Sequence, residues 1–279
     1  MIIFPNCKIN LGLRVLGKRS DGFHNIETAF YPLQIKDALE LIAESSQSPS
    51  APVQLSLSGI LPEIPEEENI CVKAYHLLKK DFPRITPVKM HLHKIIPAGA
   101  GLGGGSADGA FTLKLINEKF NLGLNNEQLL RYALQLGSDC PFFILNIPCI
   151  ATGRGEVMAP LERNLGDYKF VLINPGIHVN TAWAYAQVSP TLPVRSIKEI
   201  LLQPVETWKD ELFNDFEAPV FKNFPEIKSI KENLYNSNSL FASMSGSGST
   251  VFGIFKKDME TRFSFPAHYF IKELSGKLN

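Results

Sequence analysis

Residues 97–106 read Pro-Ala-Gly-Ala-Gly-Leu-Gly-Gly-Gly-Ser, with five glycines between Gly99 and Gly105. Absent side chains let a ligand approach the backbone, and a helix beginning behind such a loop presents unpaired N–H groups and the positive end of its dipole. The chemistry this suits is anion binding, above all of phosphate. Ser106 adds a hydroxyl able to contact a phosphate oxygen or a magnesium-bound water. Gly99-x-Gly101-x-x-Gly104 matches the dinucleotide fingerprint literally. That motif, however, belongs in the first βαβ unit, with an acidic residue about 20 positions later closing a strand. Here it begins about a hundred residues into the chain, and no convincing acid follows. A Gly-Lys-Ser/Thr phosphate loop is absent, as are the His-Arg-Asp and Asp-Phe-Gly signatures of protein kinases.

Other side chains could act beside such a loop. Lys8 and Asn10 lie on the polar side of an alternating segment, Asp139 stands in Gly137-Ser-Asp-Cys-Pro141, and Phe23-His24 follows the turn Gly17-Lys-Arg-Ser-Asp-Gly22. In isolation Asp139 reads as a helix cap, Lys8 as a surface charge and Phe23-His24 as a packed pair beside a turn. His91 and His93 share one face of a strand, but no third ligand follows at useful spacing, so solvent-facing histidines are expected. Cys7, Cys71, Cys140 and Cys149 form no Cys-x-x-Cys pair and read as reduced thiols.

Ile9, Leu11, Leu13 and Val15 alternate with polar or small positions, which predicts a strand or hairpin arm over 2–16 with Lys8, Asn10 and Arg14 on its other face. A second extended stretch should end near Pro32. Residues 72–80 read as a helix and 88–96 as an alternating strand. After the glycine loop, Ala107, Ala110, Leu113, Ile116 and Phe120 recur every three or four positions and mark a helix packed on a sheet. Asn125 to Leu136 reads as another helix ended by Gly137, and 168–174 as a strand. Helices near 196–202 and 226–235 precede a strand entering Ser245-Gly-Ser-Gly-Ser249 and a further strand at 250–255. Residues 45–52, rich in Ser and Pro, read as a flexible surface loop, and 62–68 as an acidic, Pro-rich approach to a helix. Strands interleaved with helices indicate an α/β or α+β architecture.

The chain has 279 residues, 44% hydrophobic and 20% charged, a globular composition long enough for two modest domains. Its 28 basic and 28 acidic residues cancel, so no global field draws nucleic acid or an anionic membrane. No run approaches the ~20 apolar residues of a membrane span. The N-terminus lacks the basic and apolar stretches of a signal peptide, and a cytoplasmic location is expected.

Pro97-x-x-x-Gly101-Leu-Gly103 followed by glycines and Ser106 resembles the second motif of the GHMP kinases, the small-molecule kinases named for galactose, homoserine, mevalonate and phosphomevalonate. Lys8-Ile-Asn10-Leu-Gly-Leu resembles the first motif, and Ser245-Gly246-Ser247-Gly248-Ser249-Thr-Val-Phe the third, in the family's order along nearly the whole chain. The resemblance implies a two-domain fold. An N-terminal α/β domain, 1–163, would be similar to the second domain of ribosomal protein S5, and a C-terminal part, 164–279, would be ferredoxin-like α+β, with the active site in the cleft. It implies ATP and Mg2+ as cofactors. Asp139 would be the catalytic base and Lys8 its partner. Gly99, Gly101, Leu102, Gly103, Gly104, Gly105 and Ser106 would cradle ATP phosphates, with Asn69, Lys94 and Pro97 near the adenine.

Gly17-Lys-Arg-Ser-Asp-Gly-Phe23-His24 is similar to the turn in that branch of the family whose acceptor is a small cytidine-diphosphate-linked molecule. Mevalonate and homoserine kinases do not usually show it. The resemblance implies that Phe23 stacks on the cytosine, where the family usually has Tyr, and that His24 hydrogen-bonds its edge. Tyr185 would cover the other face, and Thr181 would lie near the substrate phosphates. Asn10, Gly246, Ser247 and Gly248 complete the implied substrate set. Asp108 departs from the family's Ser-Ser-Asn or Ser-Ala-Ala pattern, and an acid there would repel a nucleotide unless magnesium intervened. A monomer or homodimer is expected, with neither nucleic acid nor membrane as a partner.

Overall fold

The computed structural model describes residues 1–44, 52–61, 64–190 and 193–277, so the loop expected at 45–52 lies outside the described residues except for Pro52, as do Pro62 and Glu63. The strands are β1 (Ile2–Ile3), β2 (Asn6–Lys18), β3 (His24–Lys36), β4 (Ala38–Ala43), β5 (Val53–Gly59), β6 (Val88–Lys94), β7 (Cys149–Thr152), β8 (Val157–Pro160), β9 (Tyr168–Asn174), β10 (Phe241–Met244), β11 (Val251–Lys256) and β12 (Phe270–Ser275). The helices are α1 (Ile70–Asp81), α2 (Gly104–Lys119), α3 (Asn126–Leu136), α4 (Cys140–Leu145), α5 (Thr181–Gln187), α6 (Ile197–Leu201), α7 (Glu217–Asn223) and α8 (Pro225–Asn236). The chain divides into two compact units. The first comprises Met1–Cys7, Ile35–Ala98 and Gly103–Asn146, and the second Lys8–Gln34, Gly99–Leu102 and Ile147–Asn279.

In the first unit one sheet runs β1-β4-β6-β5, with β5 parallel to β6 and the other pairs antiparallel. β6 alternates as expected: Val88, Met90 and Leu92 are buried, while Lys89 and His93 are exposed and His91 is half-buried. His91 and His93 are engaged by serines of β5, Ser56 to His91 Nδ1 at 2.7 Å and Ser58 to His93 Nδ1 at 2.9 Å. α1 begins at Asn69, whose side chain accepts the Cys71 N–H, and α3 begins at a capping box formed by Asn125 and Gln128. Gly109 in α2 allows close packing, because a Cβ there would stand 2.7 Å from Ile70.

The second unit holds two sheets, β2-β3-β7-β8 and β10-β11-β9-β12. In the latter all pairs are antiparallel and the sequence-order pattern is second, third, first, fourth, which is the ferredoxin-like arrangement. A ferredoxin-like plait would place a helix between its last two strands. Here residues 257–269 are irregular, and the rings of Phe263, Phe265 and Tyr269 stack in sequence against the core instead. That core gathers Leu13, Val15 and Ile26 with Val171, Ile173, Phe216, Ile227, Ile230 and Phe255.

Two sequence expectations shift. β3 runs through Pro32 to Lys36, and Pro32 lies beyond the Thr28–Phe30 stretch that pairs with β7, so its missing N–H costs that ladder nothing. β2 is buried on both faces. Ile9 and Leu11 are inaccessible as alternation predicts, but Lys8 and Asn10 are 3% and 2% exposed. Polar residues survive such burial only with partners.

Candidate active site

Those partners define the first part of the site, within the second unit. Lys8 Nζ donates to Asn10 Oδ1 at 2.5 Å and stands 4.9 Å from the centroid of the Phe30 ring. Asn10 Nδ2 donates to Thr28 Oγ1 at 2.9 Å, and Thr28 Oγ1 donates to the Gly12 carbonyl at 2.6 Å. The Asn10 backbone N–H donates to Ser245 Oγ at 3.1 Å, while Ser245 Oγ donates to the Gly101 carbonyl at 2.7 Å. One buried hydroxyl thus joins three segments far apart in sequence: β2, the glycine loop and the turn after β10.

The loop is further fixed by the Lys8 N–H to the Leu102 carbonyl at 2.9 Å and the Thr250 N–H to the Ala100 carbonyl at 3.2 Å. Gly101 has φ +77°, and a Cβ there would stand 2.0 Å from the Ser245 carbonyl oxygen, so glycine is required on both counts. Gly99, at φ +63°, faces His178. After β10, Gly246 and Gly248 also have positive φ, at +58° and +94°. Ser247 Oγ meets Thr181 Oγ1, at the start of α5, at 2.9 Å.

His24 lies flat on Tyr185, centroids 4.7 Å apart and 14° between planes, so one face of the Tyr185 ring is covered by the imidazole. Tyr185 in turn meets Phe216 edge-on at 4.8 Å. Phe23 is 48% exposed and carries the Arg154 guanidinium at 4.4 Å over its ring. Asp21 shapes the turn by accepting the Phe23 N–H at 3.1 Å and pairing with Arg19 at 3.0 Å. Arg154 was not anticipated; its position between Gly153 and Gly155, both at positive φ, marks it as a turn tip.

In the first unit Gly103, at φ +69°, is the N-cap of α2 and Gly104 opens the helix. The first N–H groups of a helix have no partners within it, and Gly105 leaves open space beside them, with nothing within 4 Å of its Cβ position. Ser106 hydrogen-bonds the Cys140 thiol, which burial holds up at about 12. Asp139 precedes α4 at half-burial, yet its carboxylate makes no capping bond to that helix. The expected cap role is therefore not where this acid is used.

Two adenine candidates are occupied by the fold. Asn69 is 4% exposed and spends its side chain on Cys71. Lys94 is 4% exposed and its ammonium lies between Asp37 and Asp108, at 2.6 Å from Asp108 Oδ2. Asp108 is thus buried and paired with a cation inside the first unit, which offsets the repulsion its sequence position suggested. Asp37 also accepts the Ile95 and Ile96 N–H groups at 2.5 and 2.9 Å, whereas Asp108 Oδ1 is buried with no hydrogen-bond partner. Burial, opposed by Lys94 and reinforced by Asp37, pushes the Asp108 carboxyl up to about 7. Burial acts to lower the Lys94 value, but the two carboxylates outweigh it and the net direction is upward. Beside Lys94 the chain exposes Ile60, Leu61 and Ile64, with the Ile60 N–H on the Lys94 carbonyl at 2.9 Å. Pro97, half-buried, closes the turn after β6. Apolar residues exposed in a Pro- and Glu-rich loop were the signal that sequence reasoning passed over.

Among the described residues, no helix is long and apolar enough to cross a membrane. Residues 69–146 match the GHMP kinases N terminal domain and residues 196–262 the GHMP kinases C terminal domain. The chain is 48% identical over 274 residues to the 4-diphosphocytidyl-2-C-methyl-D-erythritol kinase of Bacteroides fragilis, covering 95% of this chain and 98% of that one. A crystal structure of a 4-(cytidine 5'-diphospho)-2C-methyl-D-erythritol kinase superimposes with a TM-score of 0.77 at 32% identity, covering 91% of this chain and 90% of that one. The mevalonate kinase of Methanococcus jannaschii shares the fold, with a TM-score of 0.68 at 14% identity and coverage of 93% and 92%.

Proposed function

The chain belongs to the GHMP kinase family, and from that premise we propose that it transfers the γ-phosphoryl group of ATP to the 2-hydroxyl of 4-diphosphocytidyl-2-C-methyl-D-erythritol, a step of the methylerythritol phosphate route to isoprenoid precursors. The observation that carries it is Ser245. Its hydroxyl ties the Asn10 backbone and the Gly101 carbonyl to one turn, so that all three family motifs meet at a single buried group.

A magnesium ion bound with the ATP phosphates beside Ser106 would neutralise the negative charge that develops on the transferred group. The N–H groups at the start of α2 and the glycine loop bind those phosphates, with Ser106 beside them. The adenine lies against the exposed Ile60, Leu61 and Ile64 near Pro97. Lys94 serves there through its stem and backbone, since its ammonium is already paired. The acceptor's 2-hydroxyl attacks the γ-phosphorus as the bond to the bridging β,γ-oxygen breaks, and Asp139 takes the hydroxyl proton. Lys8 stabilises that carboxylate, and Asn10 orients the lysine. The cytosine stacks on the open face of Phe23, with the His24–Tyr185 pair as a wall, and Thr181 with Gly246–Gly248 holds the acceptor. The division at 163/164 into a nucleotide-binding and a C-terminal part, and a cytoplasmic location, belong to the same proposal.

The test is ADP release from magnesium–ATP with 4-diphosphocytidyl-2-C-methyl-D-erythritol, with mevalonate and homoserine in parallel. Turnover with the first alone is expected. Turnover with another acceptor alone would keep the family and reject the cytidine reading.

A further inference from the structure

The turn 245–248 is held by residues to which no role has yet been given. Asn214 is 3% exposed, and its Nδ2 donates to the Met244 carbonyl at 2.7 Å and the Gly246 carbonyl at 2.8 Å. Its Oδ1 accepts the Phe216 N–H at 3.0 Å, so the amide's orientation is fixed by the start of α7. Around it the backbone lies along β2: the Leu13 N–H donates to the Phe213 carbonyl and the Asp215 N–H to the Leu13 carbonyl, both at 2.9 Å. Asp215 accepts the Val15 N–H at 2.8 Å. Glu217 receives the Met244 N–H at 2.8 Å and Ser243 Oγ at 3.0 Å from the same strand end.

We propose that Asn214 is a positioning residue for phosphoryl transfer, its amide clamping the 245–248 turn and, through Ser245, setting Asn10 and Gly101 at their working positions. The proposal deepens the kinase reading and rests on it. A side chain here must supply two donors from one atom and an acceptor beside it, which asparagine alone does at this length. Aspartate has the same shape with no donor, serine has one, and leucine none. The clamp grips the two carbonyls that bracket Ser245. That serine in turn holds the Asn10 N–H and the Gly101 carbonyl, so a turn released at Met244 and Gly246 also releases β2 and the glycine loop.

Asn214→Asp is the informative change. Ionised, it places an oxygen against two carbonyl oxygens; protonated, it recovers one donor. We expect kcat/KM for the cytidine-linked acceptor to fall about 20-fold at pH 8.5, the scale of a buried polar group left unpaired, and to recover severalfold at pH 6.5. Asn223→Asp, whose amide bonds the Pro219 carbonyl on the surface, should follow the parent at both pH values. Hydrogen exchange gives an answer independent of turnover: protection at 241–250 should drop in Asn214→Asp while that of α8 stays at the parent's level. A parent that turns over beside an Asn214→Asp form with the parent's pH profile and protection would overturn the proposal, as would equal loss of protection in α8. A parent inactive on this acceptor counts against the kinase reading, and the exchange result then still decides whether Asn214 holds the turn. Should the aspartate form not fold, Asn214→Ser, with one donor kept, should show the same local loss of protection; unchanged protection there refutes the clamp.

Discussion

Lys94→Met removes the cation between Asp37 and Asp108 and leaves two carboxylates that are 0% and 3% exposed. Breaking a buried ion pair costs about 3–5 kcal/mol because the partner charge remains. Asp37 keeps two backbone N–H donors. Asp108 has an oxygen with no partner and will take up a proton, which limits the cost to the lower part of that range, about 3 kcal/mol at pH 7. Asp108→Asn is the contrasting change, since it leaves Lys94 paired with Asp37 and should cost less than about 1 kcal/mol. The pH dependence carries a definite sign. With the Asp108 carboxyl at about 7 in the folded chain against 3.8 ordinarily, the native state holds a proton that the unfolded state has lost across that window. Stability therefore falls as pH rises from 4 to 7, by at most about 4 kcal/mol from this group. Asp108→Asn should flatten the fall. Urea unfolding followed by circular dichroism at pH 5, 6, 7 and 8 measures all three proteins. The reasoning is refuted if Lys94→Met stays within about 1 kcal/mol of the parent at pH 7, or if Asp108→Asn keeps the parent's slope.

Asp139→Ala should lower kcat by at least about a thousandfold while ATP affinity, read by calorimetry, stays within about threefold; retained turnover would remove it as the base. Phe23→Ala should raise the KM for the cytidine-linked acceptor by about tenfold, the worth of one aromatic stack, and leave that for ATP unchanged. Phe23→Tyr should stay near the parent in the same steady-state assay. Gly101→Ala sets a Cβ against the Ser245 carbonyl at a positive φ and should cost at least about 1–2 kcal/mol, seen as a lower melting temperature together with weaker ATP binding.

Periodicity located most of the scaffold. The strand at 168–174 has the expected bounds, and the helices expected at 72–80 and 226–235 extend only one or two residues further. Elements escaped where their pattern was too short or too apolar to show a period. α4, Cys140–Leu145, is apolar throughout, and β12 pairs by backbone with little alternation to announce it. Candidate site residues stood out as motifs, because glycines and a lone Asp at fixed spacing are visible in a linear string. What each polar group bonds to was not. Lys94 and Asn69 look available in the sequence, and only the fold reveals the carboxylates and N–H that occupy them. Asn214 bonds locally only to the Phe216 N–H, and the two carbonyls it clamps lie 30 and 32 residues further on, where no local pattern announces them.

The hydroxyl of Ser245 meets an N–H 235 residues earlier in the chain, and this sets a timetable for synthesis. The first compact unit is complete once residue 146 has left the ribosome, but the second needs segments up to Asn279. At about 5–20 residues per second the remaining 133 residues take roughly 7–27 s to make. Throughout that interval Leu13, Val15 and Ile26 lack the C-terminal residues that complete their core, so the strand carrying Lys8 waits with apolar side chains exposed. Holding chaperones and elongation speed should therefore govern the yield of this enzyme, and its first 146 residues expressed alone, which never gain that cover, should depend on chaperones still more.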